Sequence, residues 1–316
     1  MNVLVSLILF VVGLALVIFF AEQVVKTVVA TSLHFGISAF LVSVVFIGFD
    51  PDNLSVGVAA SFQGSVGLAW GSIIGAAMVA SAFAFGVSAL FAPMKFNQAP
   101  KQILVLPVLA VSLLGILGFD GQLSRIDGIL LLVAFALSVV WLVRLGRKGF
   151  DLKPSGEVAK GIERAGRFNR WVYVGILIVS LFGIVIGSEL LVTSTQTLLA
   201  AAGLSETFFG MTILAFLVSI EELARELPAA LKGRPEISFG NVVGSILAMF
   251  LLNAGFIALL KPIELNAQVL GFYLPYAWIT VVTIAAMMTL KKISRWAGGL
   301  LILIYLGFVA ASYLVQ

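Results

Sequence analysis

The sequence predicts an all-α polytopic membrane protein of ten transmembrane helices arranged as two inverted five-helix repeats. Three observations carry that expectation: an apolar composition cut into spans of bilayer length, a lopsided distribution of basic residues, and a glycine and acid pattern that recurs once along the chain. Of 316 residues, 61% are hydrophobic and 11% charged, where a soluble domain carries roughly 25% charged residues. With no cysteine, the chain has no disulfide or thiolate metal site to offer, and with one histidine, His34, histidine-clustered metal sites and serine-histidine catalysis are hard to assemble. Enzyme chemistry is therefore disfavoured, and no cofactor is implied. The formal charge of +4 does not point to nucleic acid, because no soluble basic domain is present to present it.

A bilayer core needs roughly 20 apolar residues per helix. Runs of that length lie near 3–29, 37–62, 66–92, 102–118, 125–146, 171–200, 205–232, 238–260, 266–290 and 295–315. The first begins without a basic leader or a small-residue cleavage site, so it is expected to be a retained helix rather than a signal peptide. Leu, Val, Ile and Phe with scattered Gly fill every run, which suits packed helices and not barrel strands.

Basic residues orient the bundle, since cytoplasmic loops hold the excess of Lys and Arg. Arg144, Arg147, Lys148, Lys153, Lys160, Arg164, Arg167 and Arg170 lie between the fifth and sixth spans, and Lys26, Lys95, Lys101, Lys232, Arg234, Lys291, Lys292 and Arg295 fall on the same side. Together they are sixteen of the 19 basic residues, which places both termini outside, most simply across a plasma membrane. The chain divides into a first five-span half (1–146), a basic cytoplasmic linker (147–170) and a second half (171–316). An odd number of spans per half obliges related halves to insert in opposite directions, as in many secondary transporters.

Relatedness is visible. Residues 64–75 read GSVGLAWGSIIG and residues 233–244 read GRPEISFGNVVG, so Gly64/Gly233, Gly71/Gly240 and Gly75/Gly244 share one offset of 169. FFAEQVV around Glu22 matches VIGSELLV around Glu189 at an offset of 167. Glycine also recurs by chance in membrane helices, but three glycines at one offset beside paired acids favour duplication.

An ionisable group at the middle of a membrane costs roughly 2.5–3.5 kcal/mol and marks an ion path unless it is paired. The second span reads VVFIGFDPDNLSVG, with Asp50, Asp52 and Asn53 around Pro51; the seventh reads ILAFLVSIEELAREL, with Ser219, Glu221, Glu222, Arg225 and Glu226. Pro51 should break its helix and free backbone carbonyls. Glu222 lies at the offset of 169 from Asn53.

These segments resemble the sodium/calcium exchanger family, whose repeats carry G-T-S-L-P-E followed by a G-N-x-x-G-S-N stretch on the next helix. The matches are GFDPDNL (48–54) and GSIIGAA (71–77) in the first half, and LVSIEEL (217–223) and GNVVGSI (240–246) in the second. The resemblance covers essentially all ten spans. It implies an inverted-repeat exchanger that moves inorganic cations, calcium, sodium or protons, by alternating access, with those ions as substrates in a lipid bilayer. Carried onto this chain, it implies a cation site of Asp50, Asn53, Ser219, Glu222 and Ser245, with Asp50 and Glu222 as the charged, metal-coordinating pair. Asp52, Glu221, Arg225 and Glu226 beside them are candidate accessory or gating residues, of which Arg225 is not expected from the family.

The departures are equally specific. Asn53 stands where the family has a glutamate, Phe49, Asp50 and Val218 replace hydroxyl positions, Ala76 replaces a serine, and Ala80 and Met249 replace side chains able to ligate. Calcium takes six to eight oxygens, so a weaker calcium site is expected. Protonation competes for buried carboxylates, so transport is expected to depend on pH. Arg225 lies three residues after Glu222 and four after Glu221, within reach of either. It either occupies charge space that a divalent ion would need or merely compensates Glu221 or Glu226. Two functional classes follow: a secondary cation antiporter, or a degenerate exchanger fold that binds without transporting. Oligomeric state is not legible.

Overall fold

The computed structural model describes residues 2–35, 49–95, 101–146, 156–165 and 169–316. Helix α1 (Val3–His34) is followed by α2 (Pro51–Gln63), α3 (Val66–Phe91), α4 (Gln102–Asp120), α5 (Arg125–Gly146), the short α6 (Gly156–Arg164), α7 (Arg170–Ala202), the bent pair α8 (Glu206–Ser219) and α9 (Glu221–Leu231), α10 (Pro235–Leu260), α11 (Val269–Thr289) and α12 (Arg295–Val315). Among the described residues, eight helices are long and apolar enough to cross a membrane, and the bent pair makes a ninth. The first part of the expected second span, 36–48, lies outside the described residues.

Polar caps mark the helix starts. Asn2, Asn169, Ser205 and Ser294 accept hydrogen bonds from backbone N–H groups of the first turns of α1, α7, α8 and α12, satisfying donors that have no intrahelical partner. Helix α1 runs beyond the expected end at residue 29, so His34, expected in a loop, closes the helix with its ring 5.4 Å from that of Tyr173. Part of the expected linker is also ordered. In α6, Val158 and Ile162, one turn apart, pack on Val25, Val29 and Leu33 of α1, and the Tyr173 hydroxyl donates to the Arg164 carbonyl. Residues 147–155 and 166–168 lie outside the described residues.

Helices α3 and α10 form the buried centre, while α1, α5, α7 and α12 turn large apolar side chains such as Leu4, Leu137, Phe182 and Leu303 outward. The outward apolar faces are what a lipid environment requires, because association between helices in a bilayer rests on close packing rather than on hydrophobic exclusion. Small residues allow that packing. A Cβ on Gly71 of α3 would lie 2.3 Å from the backbone carbonyl of Gly210 in α8. Two further crossings mirror each other: Gly86 of α3 meets Gly298 of α12, and Gly255 of α10 meets Gly128 of α5.

The short strands show the same reciprocity. Strand β1 (Met94–Lys95), after α3, pairs antiparallel with β4 (Lys292–Ile293), between α11 and α12. Strand β3 (Ile263–Glu264), after α10, pairs with β2 (Gln122–Leu123), between α4 and α5. Five-residue-period turns interrupt α3 at Val79–Ala84 and α10 at Ala248–Asn253, positions that share the offset of 169. Such widened turns are rare and collect at functional sites.

Candidate functional site

Two helix starts converge at the site. Pro51 occupies the first turn of α2, where its missing N–H is no loss and its fixed φ suits the helix. Asp50 before it is extended, with φ −119° and ψ 90°, as a residue preceding proline is biased to be. A helix start thus stands at Pro51; residues 36–48, on which the expected break also depends, lie outside the described residues. The counterpart of this start was not anticipated: the chain bends by 51° between α8 and α9, and Ile220, at the bend, is at the offset of 169 from Pro51. Glu221 and Glu222 stand in the first turn of α9, and Asp52 in the first turn of α2, where the partial positive charge of a helix N-terminus favours acids.

Arg225 binds the two segments together. Its Nη1 donates to Asp50 Oδ1 at 2.7 Å and to Glu222 Oε1 at 3.5 Å, and its Nη2 donates to Glu221 Oε1 at 2.5 Å. The two helical pairs follow from the i,i+3 and i,i+4 spacings; the bond to Asp50, 175 residues away in sequence, does not. Both readings of Arg225 left open by spacing therefore have a part: it neutralises Glu221, and it also lies between Asp50 and Glu222. Glu226 is held instead by Asn241.

The remaining residues pair across the same junction. Asn53 Nδ2 donates to Ser219 Oγ at 3.0 Å, joining α2 to the end of α8. Ser245 Oγ of α10 donates to Glu222 Oε1 at 3.1 Å. Asn241 Nδ2 donates to Glu222 Oε2 and, at 3.0 Å, to Glu226 Oε1. Asp52 Oδ1 accepts from the Asn53 backbone N–H at 2.8 Å. Ala76, Ala80 and Met249, at the positions without ligating groups, are fully buried beside the site.

All nine sequence-selected residues thus sit at or beside one junction. Asp50, Asp52, Asn53, Ser219, Glu222, Glu226 and Ser245 are buried, and the Glu221 and Arg225 side chains keep 20% and 13% exposure. Sequence reasoning missed Asn241 and Ser238, whose hydroxyl donates to the Glu226 carbonyl at 2.9 Å. Asn241 was discoverable: it is the asparagine of the GNVVGS stretch, four residues before Ser245 and hence on the same helix face. Five carboxylates, Asp50, Asp52, Glu221, Glu222 and Glu226, surround one guanidinium. Acids buried in this way need paired or coordinated charge, because desolvating an isolated ion is prohibitive.

Buried acids where two helix starts meet, inside a bundle with an apolar exterior, describe a polytopic membrane protein built around a buried polar site. Residues 5–144 and 172–314 match the family model described as sodium/calcium exchanger protein, and the chain belongs to that family. The family is one of membrane exchangers, not of catalytic enzymes. An uncharacterised membrane protein of Methanocaldococcus jannaschii is 27% identical over 96% of each chain. The sodium/calcium exchanger MaX1 of Methanosarcina acetivorans is 23% identical over 98% of this chain and 99% of its own. A solved structure of the sodium-calcium exchanger NCX_Mj, soaked with Na+ and Sr2+, superposes with a TM-score of 0.62 at 23% identity, covering 98% of this chain and 99% of that one; at that identity the likeness concerns the fold.

Proposed function

We propose that the protein is a secondary-active antiporter that exchanges calcium or another metal cation against sodium or protons by alternating access. The observation that carries this reading is the junction of α2 with α8 and α9, where five carboxylates converge inside the helical bundle. In this reading Asp50 and Glu222 are charged ligands, Asn53, Ser219 and Ser245 are neutral ones, and Arg225 is a resident cation that trims the charge available to a travelling ion. Rocking of α1 and α7 against the rest is the access switch.

Ten spans in two inverted five-helix halves form the frame of the proposal, with 1–146 and 171–316 as the halves and the basic segment 147–170 in the cytoplasm. Support comes from the two separate stretches matched by the family model, the reciprocal strand pairs, the mirrored glycine crossings, the helix start at Pro51 and the bend at Ile220. Binding sites at the interface of such repeats, built from discontinuous helices, are the general pattern of secondary transporters.

One observation favours the second reading, a fold that binds without transporting: Arg225 already holds Asp50 and Glu222. Counter-transport in proteoliposomes, with calcium, sodium, potassium, magnesium and pH gradients applied in turn, separates the two. Exchange that is present in the parent and abolished in a folded Glu222→Gln variant supports the antiporter. No exchange under any gradient, or a folded Glu222→Gln variant that exchanges at the parental rate, rejects it or the ligand assignment respectively.

A further inference from the structure

The oxygens of the five acids are unequally satisfied. Both oxygens of Glu222 have protein donors, Ser245 and Arg225 on Oε1 and Asn241 on Oε2. Asp50 Oδ2 and Asp52 Oδ2 are fully buried and have no hydrogen-bond partner among the described residues. Glu226 Oε2 is orphaned in the same way. A buried anionic oxygen without a donor is costly, so the demand for a cation or a proton lies at these oxygens and not at Glu222. One oxygen each from Asp50, Asp52 and Glu221 lie within 4.8 Å of one another.

We infer that Asp50, Asp52 and Glu221 form a divalent-cation subsite beside Glu222, suited to a hard ion of calcium or manganese size. The inference rests on the proposed antiporter only for the role of the ion as cargo; the binding site itself stands on the geometry. Oxygens within 4.8 Å of one another lie at most about 2.8 Å from a common central point, against roughly 2.3–2.6 Å for calcium–oxygen contacts. A small inward movement of the side chains completes the fit. Three carboxylates beside one guanidinium leave two negative charges, the number that a divalent ion neutralises. The hydrogen bond from the Asn53 N–H engages only Asp52 Oδ1, which leaves Oδ2 as the coordinating atom.

Asp52 and Glu221 share the offset of 169, so each half contributes one carboxylate at the same place beside its helix start. Neither stands at a hydroxyl or glutamate position of the G-T-S-L-P-E signature; both fall on its proline. Glu221, with 20% of its side chain exposed, is the member that water reaches, and an ion enters past it. Arg225 caps the subsite on the side of Glu222, with Nη1 shared between Asp50 and Glu222 and Nη2 on Glu221.

The test is Mn2+ binding to the purified full chain in detergent, read as the loss of the free-ion electron paramagnetic resonance signal. Asp52→Asn and, independently, Glu221→Gln are expected to weaken Mn2+ binding at least tenfold, and more than Glu222→Gln does, with excess Ca2+ displacing the bound Mn2+ in the parent. Glu221→Gln, at a partly exposed position, keeps the test decisive if Asp52→Asn fails to fold. Millimolar or weaker binding by the parent overturns the subsite, as does parental affinity in the folded variants or a larger loss in Glu222→Gln. If Mn2+ binding depends on Asp52 and Glu221 while proteoliposomes show no exchange, the antiporter reading falls and the subsite stands.

Discussion

Arg225 offers the sharpest perturbation, because it is the one cation among five acids. Replacing it by alanine strands Asp50 and Glu222, both essentially without solvent, and Glu221, which water reaches. Breaking a buried pair by removing one partner destabilises by roughly 3–5 kcal/mol. The Glu221 contact adds little to that, since its partial exposure screens it. An ion that binds the folded site at a hundred times its dissociation constant returns about 2.7 kcal/mol, so most of the loss should be reversible by a cation. The expected outcome is an Arg225→Ala protein that melts several degrees below the parent in cation-free buffer and regains most of the difference in saturating Ca2+ or Na+. Its Ca2+ affinity should also rise, because one positive charge has left the site. Arg225→Lys should fall between the two, since an ammonium keeps the charge but cannot span Asp50 and Glu221 with a planar fork. Thermal unfolding by intrinsic fluorescence across a cation series reads all of this. An Arg225→Ala variant that melts with the parent and gains nothing from cations would refute the idea that the guanidinium substitutes for an ion.

Two further predictions address the frame rather than the site. Gly71→Ala forces a Cβ to within 2.3 Å of the Gly210 backbone and should destabilise by about 1–3 kcal/mol, the usual range for overpacking. Gly175→Ala, with nothing within 4 Å of its Cβ, should instead be neutral or gain up to about 1 kcal/mol from the better helix former. Equal melting temperatures for the two would contradict the close crossing of α3 and α8. A cysteine introduced at Ser155, in the basic segment outside the described residues, should react with an impermeant maleimide only after the membrane is opened. Labelling in intact cells would reverse the orientation.

The sequence by itself determined the bilayer-length helices, the polarity of their ends and the places where the second and seventh spans carry charge. The reason is that a bilayer is a nearly uniform solvent: depth and apolarity are properties of a linear segment, and the count of Lys and Arg in loops is too. The helix start at Pro51 was likewise local, since it follows from one residue's covalent geometry. The glycine offset carried further than composition could, because it aligned the segments around Asn53 and Glu222, which the structure brings together through the Asn53–Ser219 hydrogen bond.

The tertiary structure decided the partners. Spacing along α9 placed Arg225 near Glu221 and Glu222, but the bond to Asp50 depends on how the start of α2 meets the bend at Ile220, and no periodicity within either helix encodes that angle. The same holds for Asn241, whose face on α10 was legible while its two acceptors were not, and for the convergence of Asp50, Asp52 and Glu221. The short helix α6 within the basic stretch read as a linker was not legible, since Val158 and Ile162 meet Val25 and Val29 only when the chain folds back on α1. One-dimensional pattern records which face is apolar and how deep a group sits, whereas the pairing of charges is set by helix crossings that bring residues from distant parts of the chain within a few ångströms.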